Sequence, residues 1–271
     1  EAQLWLGALG ATVVAIHWSG PGALGIVLSL VAGFVFGALW SGLVALLKIT
    51  IRIDELIGSL MLNYIAILLI GYLTFGPLQA YRAGQTERIP DALHLPTILG
   101  TRLHIGFLLA LLAAAAVWLI LNRTTFGYEV RTLGGNPAAA RFGGIDENRV
   151  IMRVALIGGG LCGLAGANAI LGVQHVLLNT FSPGWGYTAI AVALLGALTP
   201  VGILLASILF GALEVGSSAM QYIAQIPAAL GGLIEGMILI FFLIGISAPA
   251  FLRKRIDGYR QRGVDAAEPG G

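Results

Sequence analysis

Polar side chains inside apolar stretches are the first candidates for chemistry in this sequence. Asn63 and Tyr64 stand together in one apolar run, and Asn168 stands in another. Amide and phenol groups bind polar molecules by hydrogen bonds, and each can also bond a neighbouring helix or simply pack. Glu214 and Glu235 are the sole charged residues between positions 154 and 252. Ionisable groups in such a setting are candidates for a polar pathway, although an interfacial position would explain them equally well.

Catalytic and metal-binding patterns are missing from the sequence. A P-loop needs Gly-x-x-x-x-Gly-Lys-Ser/Thr, but the two lysines are Lys48, followed by isoleucine, and Lys254, followed by arginine. Histidines and carboxylates show no metal-ligand spacing, no serine lies in a nucleophile elbow, and the single cysteine, Cys162, lies in an apolar run. We therefore expect a protein that is not an enzyme and holds no metal or cofactor. Any energy it uses must come from a partner protein or an ion gradient.

The amino-acid composition indicates which class of protein contains these polar residues. Of 271 residues, 58% are hydrophobic and 10% are charged, with a mean hydropathy of +0.91. Soluble domains carry about a quarter charged residues, so a soluble enzyme, a disulfide scaffold and a disordered chain are all excluded. The net charge of +2 is too small to indicate nucleic-acid binding. The sequence predicts an integral membrane protein surrounded by lipid.

Long uncharged runs predict about seven to eight membrane helices. A helix crosses the hydrocarbon core with about 20 apolar residues, and these runs lack the alternation of a membrane β-strand. The predicted fold is therefore an all-α polytopic membrane protein. Because the chain opens directly on an apolar run at Glu1, we expect it to be N-terminally truncated. The predicted spans are 4–18, 22–47, 56–75, 105–121, 154–173, 187–214 and 228–248.

Lysine and arginine predict the orientation. Ten of the fifteen basic residues fall in segments 122–153 and 253–271, which we therefore place in the cytoplasm. Segment 76–104 has nearly balanced charges and suits the outside. Residues 1–252 then form one membrane domain, with 253–271 as a basic cytoplasmic tail.

This orientation requires an extra passage, which a break in span 187–214 can supply. Thr199 and Pro200 interrupt the apolar run, and proline removes a helical hydrogen bond. Each half is short for a full crossing. We predict a re-entrant pair in which 187–198 enters from outside and 201–214 returns, so that backbone near Thr199 and Pro200 lines a cavity. One long kinked helix, with a miscounted span elsewhere, is the alternative.

Glycines at four-residue spacing predict close helix packing. Membrane helices use small residues to approach one another closely. The pairs are Gly33 and Gly37, Gly159 and Gly163, and Gly232 and Gly236.

Segment 122–153 contains a short helix with strong local boundaries. Asn136 is a good N-cap, Pro137 suits the first turn, and Gly143-Gly144 favours an end after Phe142. A solvated loop helix and a helix that docks into a partner's groove both fit this pattern.

Several segments together resemble the permease subunits of ATP-binding-cassette (ABC) importers for nucleosides and simple sugars, which are related to the ribose and branched-chain amino-acid permeases. The resemblance covers essentially the whole chain, and segment 57–66 is most similar to the nucleoside type. The similar segments are FGYEVR (126–131), GNPAAAR (135–141), GI (144–145), GLAG (163–166), GYTAIAVALLG (186–196), TPVG (199–202), LFGAL (209–213), IGSLMLNYIA (57–66) and EAQLWLGA (1–8), where Ala2 replaces the usual glycine.

The resemblance implies a function and a set of partners. The short cytoplasmic helix would be the coupling helix that docks on a separate ATPase, through Gly135, Asn136, Ala139, Arg141, Gly144 and Ile145. Further partners would be a second permease subunit, in a heterodimer rather than a homodimer, and an extracytoplasmic substrate-binding protein. The chain would lie in the plasma (inner) membrane of a prokaryote. Its path for nucleosides or simple sugars would include Asn63, Tyr64, Asn168, Thr199 and Pro200.

An ion-coupled secondary transporter of a small polar solute is the alternative function. Such a protein would carry intramembrane carboxylates on facing broken helices, often within inverted repeats. Glu214 and Glu235 supply little of that pattern, and no convincing repeat is visible.

Overall fold

The computed structural model describes residues 1–80, 82–98, 103–224, 230–238, 240–242 and 244. Within those residues the regular structure is helical, with isolated β-bridges but no β-strand. The predicted all-α polytopic fold is confirmed. Two compact units, Glu1–Tyr187 and Thr188–Gly271, divide the chain.

The first unit contains seven of the described helices and the start of an eighth. A π-helical turn, Ile170–Gln174, continues the last of the seven, and a short 3-10 turn, Asp91–Leu93, lies in the loop after the third. The helices are α1 (Ala2–His17), α2 (Gly22–Ile51), α3 (Glu55–Phe75), α4 (Gly106–Arg123), α5 (Thr125–Gly135), α6 (Pro137–Phe142) and α7 (Glu147–Ala169).

The break in span 187–214 is present, but its second half is longer than predicted. Helix α8 (Trp185–Leu195) begins in the first unit and ends in the second, and α9 (Pro200–Ala224) follows. With 11 residues, α8 is too short to cross a bilayer, as predicted, whereas the 25 residues of α9 are enough. The prediction of two short halves is therefore wrong for the second half.

The break itself covers residues 196–199, where Ala197 and Leu198 have φ angles of 50° and 55°. Non-glycine residues rarely adopt this left-handed conformation. The backbone therefore turns before Pro200 rather than at it. Whether the pair is re-entrant stays a prediction.

Among the described residues, five helices are long and apolar enough to cross a membrane. Their ranges agree with the predicted spans to within a few residues, except that α7 begins at Glu147 rather than near 154 and α9 reaches Ala224 rather than 214. Shorter apolar helices are Ala2–His17 and Trp185–Leu195. Of the predicted span 228–248, residues 230–238, 240–242 and 244 are helical, and the remaining positions lie outside the described residues. The tail 253–271 and residues 99–102 of the predicted outer loop lie outside the described residues.

Glycine packing between α2 and α7 is confirmed. A Cβ atom added to Gly37 would overlap the Gly159 carbonyl, and one added to Gly163 would overlap the Gly33 carbonyl. A Cβ on Gly7 of α1 would overlap the Gly163 backbone as well. Three helices therefore meet backbone to backbone, which large side chains would prevent. No atom of the described residues lies within 4 Å of a Cβ built on Gly232 or Gly236, so that pair has no such partner there.

The segment after α3 is hydrogen-bonded to the residues that follow α7. The Leu95 N–H donates to the Leu171 carbonyl, and the Ile89 N–H donates to the His175 carbonyl, each at 2.9 Å. Thr86 adds a third backbone bond, to Leu177, at 3.1 Å. Segment 84–95 is therefore attached to the residues that continue from α7.

Candidate functional site: a docking helix and a polar pair

The short helix α6 forms between the predicted boundaries. Its N-cap Asn136 accepts hydrogen bonds at Oδ1 from the N–H groups of Ala138 and Ala139, at 3.0 and 3.1 Å. The helix ends at Phe142, and Gly144 follows with a φ of 78°, which favours glycine. The predicted range 137–142 is confirmed.

Helix α6 turns most of its surface to solvent. Ala140 is fully buried and anchors the helix, while Ala139 and Arg141 are exposed. Phe142 is 95% exposed, so its ring is accessible to a partner. Of the other predicted residues, Gly135 ends α5, Gly144 is exposed and Ile145 is partly buried.

Arg141 is exposed but has a partner within the chain. Its Nη2 lies 2.5 Å from Oε2 of Glu147, and its Nε donates to the same oxygen at 3.1 Å. Glu147 is the first residue of α7. The ion pair therefore joins α6 to the helix that runs through the glycine core.

Helix α5 was missed by sequence reasoning, which assigned no structure to residues 125–135. Thr124 caps it by accepting a hydrogen bond from the Gly127 N–H at 3.1 Å. The N-capping threonine was the available sign. Helices α5 and α6 together with the start of α7 make the predicted coupling segment 122–153 a helical structure rather than a loop.

A polar cleft of about 1150 Å³ opens beside these elements in the first unit. Lys48 and Glu55 form an ion pair in it, with Nζ and Oε2 2.5 Å apart. Arg141 and Glu147 contribute a second ion pair to the same cleft. The cleft therefore offers charges of both signs where α2, α3 and α7 approach the predicted cytoplasmic face.

Asn63 is buried and bonded to a residue that the sequence analysis did not select. It is 5% exposed, and its Nδ2 donates to the hydroxyl oxygen of Tyr187 at 2.7 Å. Oδ1 of Asn63 has no hydrogen-bond partner among the described residues. Tyr64, the next residue along α3, is 69% exposed.

Asn168 lies elsewhere, where α7 approaches the start of α4. A Cβ added to Gly106 would overlap the Asn168 Oδ1, and that oxygen also has no hydrogen-bond partner in the described part of the chain. Thr199 and Pro200 belong to the second unit. There Thr199 accepts from the Gly202 N–H at 3.2 Å and caps α9, which Pro200 begins.

Histidines far apart in sequence meet outside the spans. The rings of His94 and His175 stack with centroids 3.6 Å apart, and His104 packs against Gly172 nearby. Burial lowers the pKa of His104, and burial together with His94 and Arg88 lowers the pKa of His175. No group of histidine, cysteine and carboxylate side chains in the described residues has the geometry to hold a metal ion.

Comparison with known proteins supplies the context for these elements. The family described as branched-chain amino acid transport system / permease component matches residues 1–243. The glucose ABC transporter permease protein TsgB13 of Haloferax volcanii is 35% identical, over 98% of this chain and 73% of the relative. The guanosine ABC transporter permease protein NupP of Bacillus subtilis is 33% identical, over 89% of this chain and 71% of the relative. No solved structure gives a significant match.

Proposed function

The chain belongs to the family of branched-chain amino acid transport system permease components, and we propose that it forms the path by which an ABC importer carries nucleosides. It is a multi-pass protein of the plasma membrane and a permease subunit rather than an enzyme. Simple sugars are the second substrate class, because one similar protein is named for glucose and another for guanosine.

The exposed docking helix carries this proposal. Helix α6 is capped at both ends, anchored by Ala140, and presents Ala139, Arg141 and Phe142. A rigid helix with compact residues and one exposed ring suits a groove on an ATPase subunit. Gly135, Asn136, Gly144 and Ile145 set its position, and Glu147 links it to α7. ATPase closure would in this way move the membrane helices.

The substrate path includes Asn63, Tyr64, Asn168, Thr199 and Pro200. Support comes from the unpartnered oxygens of Asn63 and Asn168, because buried amides without hydrogen bonds are costly unless another group supplies one. Tyr64 adds an exposed phenol near the middle of α3, where hydrocarbon offers no hydrogen-bond partner.

Three protein partners complete the proposed transporter. They are an ABC ATPase on the cytoplasmic side, a second permease subunit in a heterodimer, and an extracytoplasmic substrate-binding protein. Apolar side chains along α3 and α4 are exposed in the single chain, which suits cover by lipid and by the second permease.

Reconstitution tests the proposal. The permease, a second permease subunit, an ATPase and a binding protein encoded beside it would be placed in lipid vesicles, and guanosine and glucose uptake would be followed. We expect uptake that requires ATP and is insensitive to proton and sodium gradients. Uptake driven by an ion gradient with no ATPase bound would instead establish the secondary transporter and overturn the proposal.

A further inference from the structure

Tyr187 is fixed at a depth where an aromatic ring can meet a solute in transit. Its partner Asn63 lies near the middle of the 21-residue helix α3, so the pair lies near the middle of the span. The tyrosine is 49% exposed although its hydroxyl is bonded. The bond therefore holds the hydroxyl in place and leaves ring surface free.

The start of α8 holds the backbone of Tyr187. Ser182 accepts hydrogen bonds at Oγ from the N–H groups of Gly184 and Trp185, at 3.2 and 3.1 Å. The Gly186 N–H donates to the carboxylate of Glu1. Tyr187 therefore follows directly on a segment whose backbone is hydrogen-bonded at three successive residues.

Aromatic packing adds to this anchor. Phe181 contacts Trp5 and Trp185 edge to face, with ring centroids 5.4 and 5.8 Å apart. Phe181 is almost fully buried, so the segment entering α8 is tied to α1. The start of α8 fixes the backbone of Tyr187, and Asn63 fixes its hydroxyl. The ring of Tyr187 is therefore oriented before any solute arrives. Such preorganisation favours binding because less freedom is lost.

We propose that Tyr187 determines substrate specificity by stacking on the planar base of a nucleoside, with Asn63 as its positioning residue. This inference rests on the proposed function, since it assigns a residue to the substrate path. A bonded hydroxyl and a free ring face suit a flat π-system better than a sugar, which is recognised mainly through hydroxyl hydrogen bonds. Asn63 is 95% buried, and its side-chain N–H group donates to the Tyr187 hydroxyl oxygen. In the described part of the chain its side chain makes no other hydrogen bond.

The test measures guanosine uptake per ATP hydrolysed in vesicles that contain the complete complex, with the binding protein saturating. Base stacking on an aromatic residue corresponds to about a 5-fold to 150-fold change, so Tyr187→Leu should lower uptake within that range. Tyr187→Phe and Tyr187→Trp keep a ring and should lose about threefold or less. Tyr72→Leu, which removes an exposed tyrosine from α3, the helix that carries Asn63, is the control and should leave uptake unchanged.

A double mutant separates positioning from packing. Asn63→Leu should resemble Tyr187→Phe, and the double variant should be no worse than either single one, because both remove the same bond. If Tyr187→Leu fails to assemble, the ring-retaining variants decide the question. Loss of uptake in Tyr187→Phe as complete as in Tyr187→Leu would overturn the stacking role, as would normal uptake in Tyr187→Leu.

The wild-type complex distinguishes this inference from the proposed function. ATP-driven uptake of glucose without guanosine would overturn the nucleobase contact and leave the permease role standing. Failure to take up either solute with ATP would instead count against the proposed function itself.

Discussion

Arg141 and Glu147 form an ion pair, with Nη2 and Oε2 2.5 Å apart, that joins the docking helix to the first turn of α7. Glu147→Gln should therefore reduce coupling, so that vesicles hydrolyse ATP while importing less solute. The thermal stability of the permease should change little, because exposed ion pairs contribute about 0–1 kcal/mol. The measurement is the ratio of solute imported to ATP hydrolysed.

Asp146→Asn is the matched control for that variant. It removes the neighbouring ion pair, in which Nε of Arg149 lies 3.0 Å from Oδ2 of Asp146. Both residues of that pair lie at the start of α7. Asparagine still caps α7, so the transport ratio should stay at the wild-type value. An unchanged ratio in Glu147→Gln would show that the link to α7 has no part in coupling.

The exposed face of α6 should decide whether the ATPase binds. Ala139→Trp combined with Arg141→Glu should abolish copurification of the ATPase, since it adds bulk and reverses charge on the proposed contact. Phe142→Ala should weaken copurification on its own, because the ring is 95% exposed and contributes little to the fold. Arg131→Glu, on the exposed face of α5, is the control and should retain the ATPase. Normal association and uptake in the double variant would exclude α6 as the docking helix.

Backbone contact at Gly163 should make that position intolerant of even a methyl group. Gly163→Ala places a Cβ against the Gly33 carbonyl and the Gly37 backbone, and overpacking of this kind costs about 1–3 kcal/mol. The lowered free energy of unfolding would be followed by thermal denaturation in detergent.

Gly158→Ala in the same helix has open space around the added atom. It should be neutral or slightly stabilising, since alanine favours a helix over glycine by about 1 kcal/mol. Equal stability of the two variants would contradict close packing of α2 on α7.

Acid should loosen the outer segment 84–95 from the end of α7. The pKa of His175 is lowered by burial, by His94 and Arg88 and by His104, and Asp91 partly opposes them. A lowered pKa means that the docked state disfavours the cation, so docking is fully stable above the ordinary pKa of about 6.5 and weakens as the pH falls below it. Hydrogen exchange at the Ile89 and Leu95 amides, after correction for intrinsic rates, should therefore be faster at acidic pH.

His94→Phe keeps a ring to stack on His175 without a charge. It should reduce the acid effect at the Leu95 amide, which is the readout for this variant because His94 Nε2 also lies 3.1 Å from the Ile89 carbonyl oxygen and that contact is lost. Protection that is independent of pH in the wild-type protein would show that these histidines do not control the contact.

Local signals explain which parts of this site the sequence could predict. The limits of α6 follow from Asn136, Pro137 and Gly143, which lie within one short segment and act through their own backbone neighbours. The glycine contacts also follow, because four-residue spacing places small residues on one helix face.

Long-range pairs and competing local signals explain what was missed. Asn63 and Tyr187 are 124 positions apart, and no periodicity connects them. Helix α5 was not predicted, because its three glycines disfavour a helix. Contacts with α4, α6 and α7 stabilise it in the folded chain. The span was predicted to end at Glu214, yet helix α9 continues for ten more residues, to Ala224.

Helix α7 would make movements at the two faces of the membrane occur at the same time. Together with the π-helical turn Ile170–Gln174 that continues it, α7 leads from the ion pair at Glu147 to Leu171 and His175, whose carbonyls accept from Leu95 and Ile89. A helix is stiff along its axis, so a displacement of its first turn is met at its last within the same motion. A change in solvent access on the outside and a change in the nucleotide bound by the ATPase on the inside would then occur together. They would not be two events connected by successive side-chain rearrangements. Single substitutions between the ends of α7 should accordingly alter stability far more readily than the order of steps.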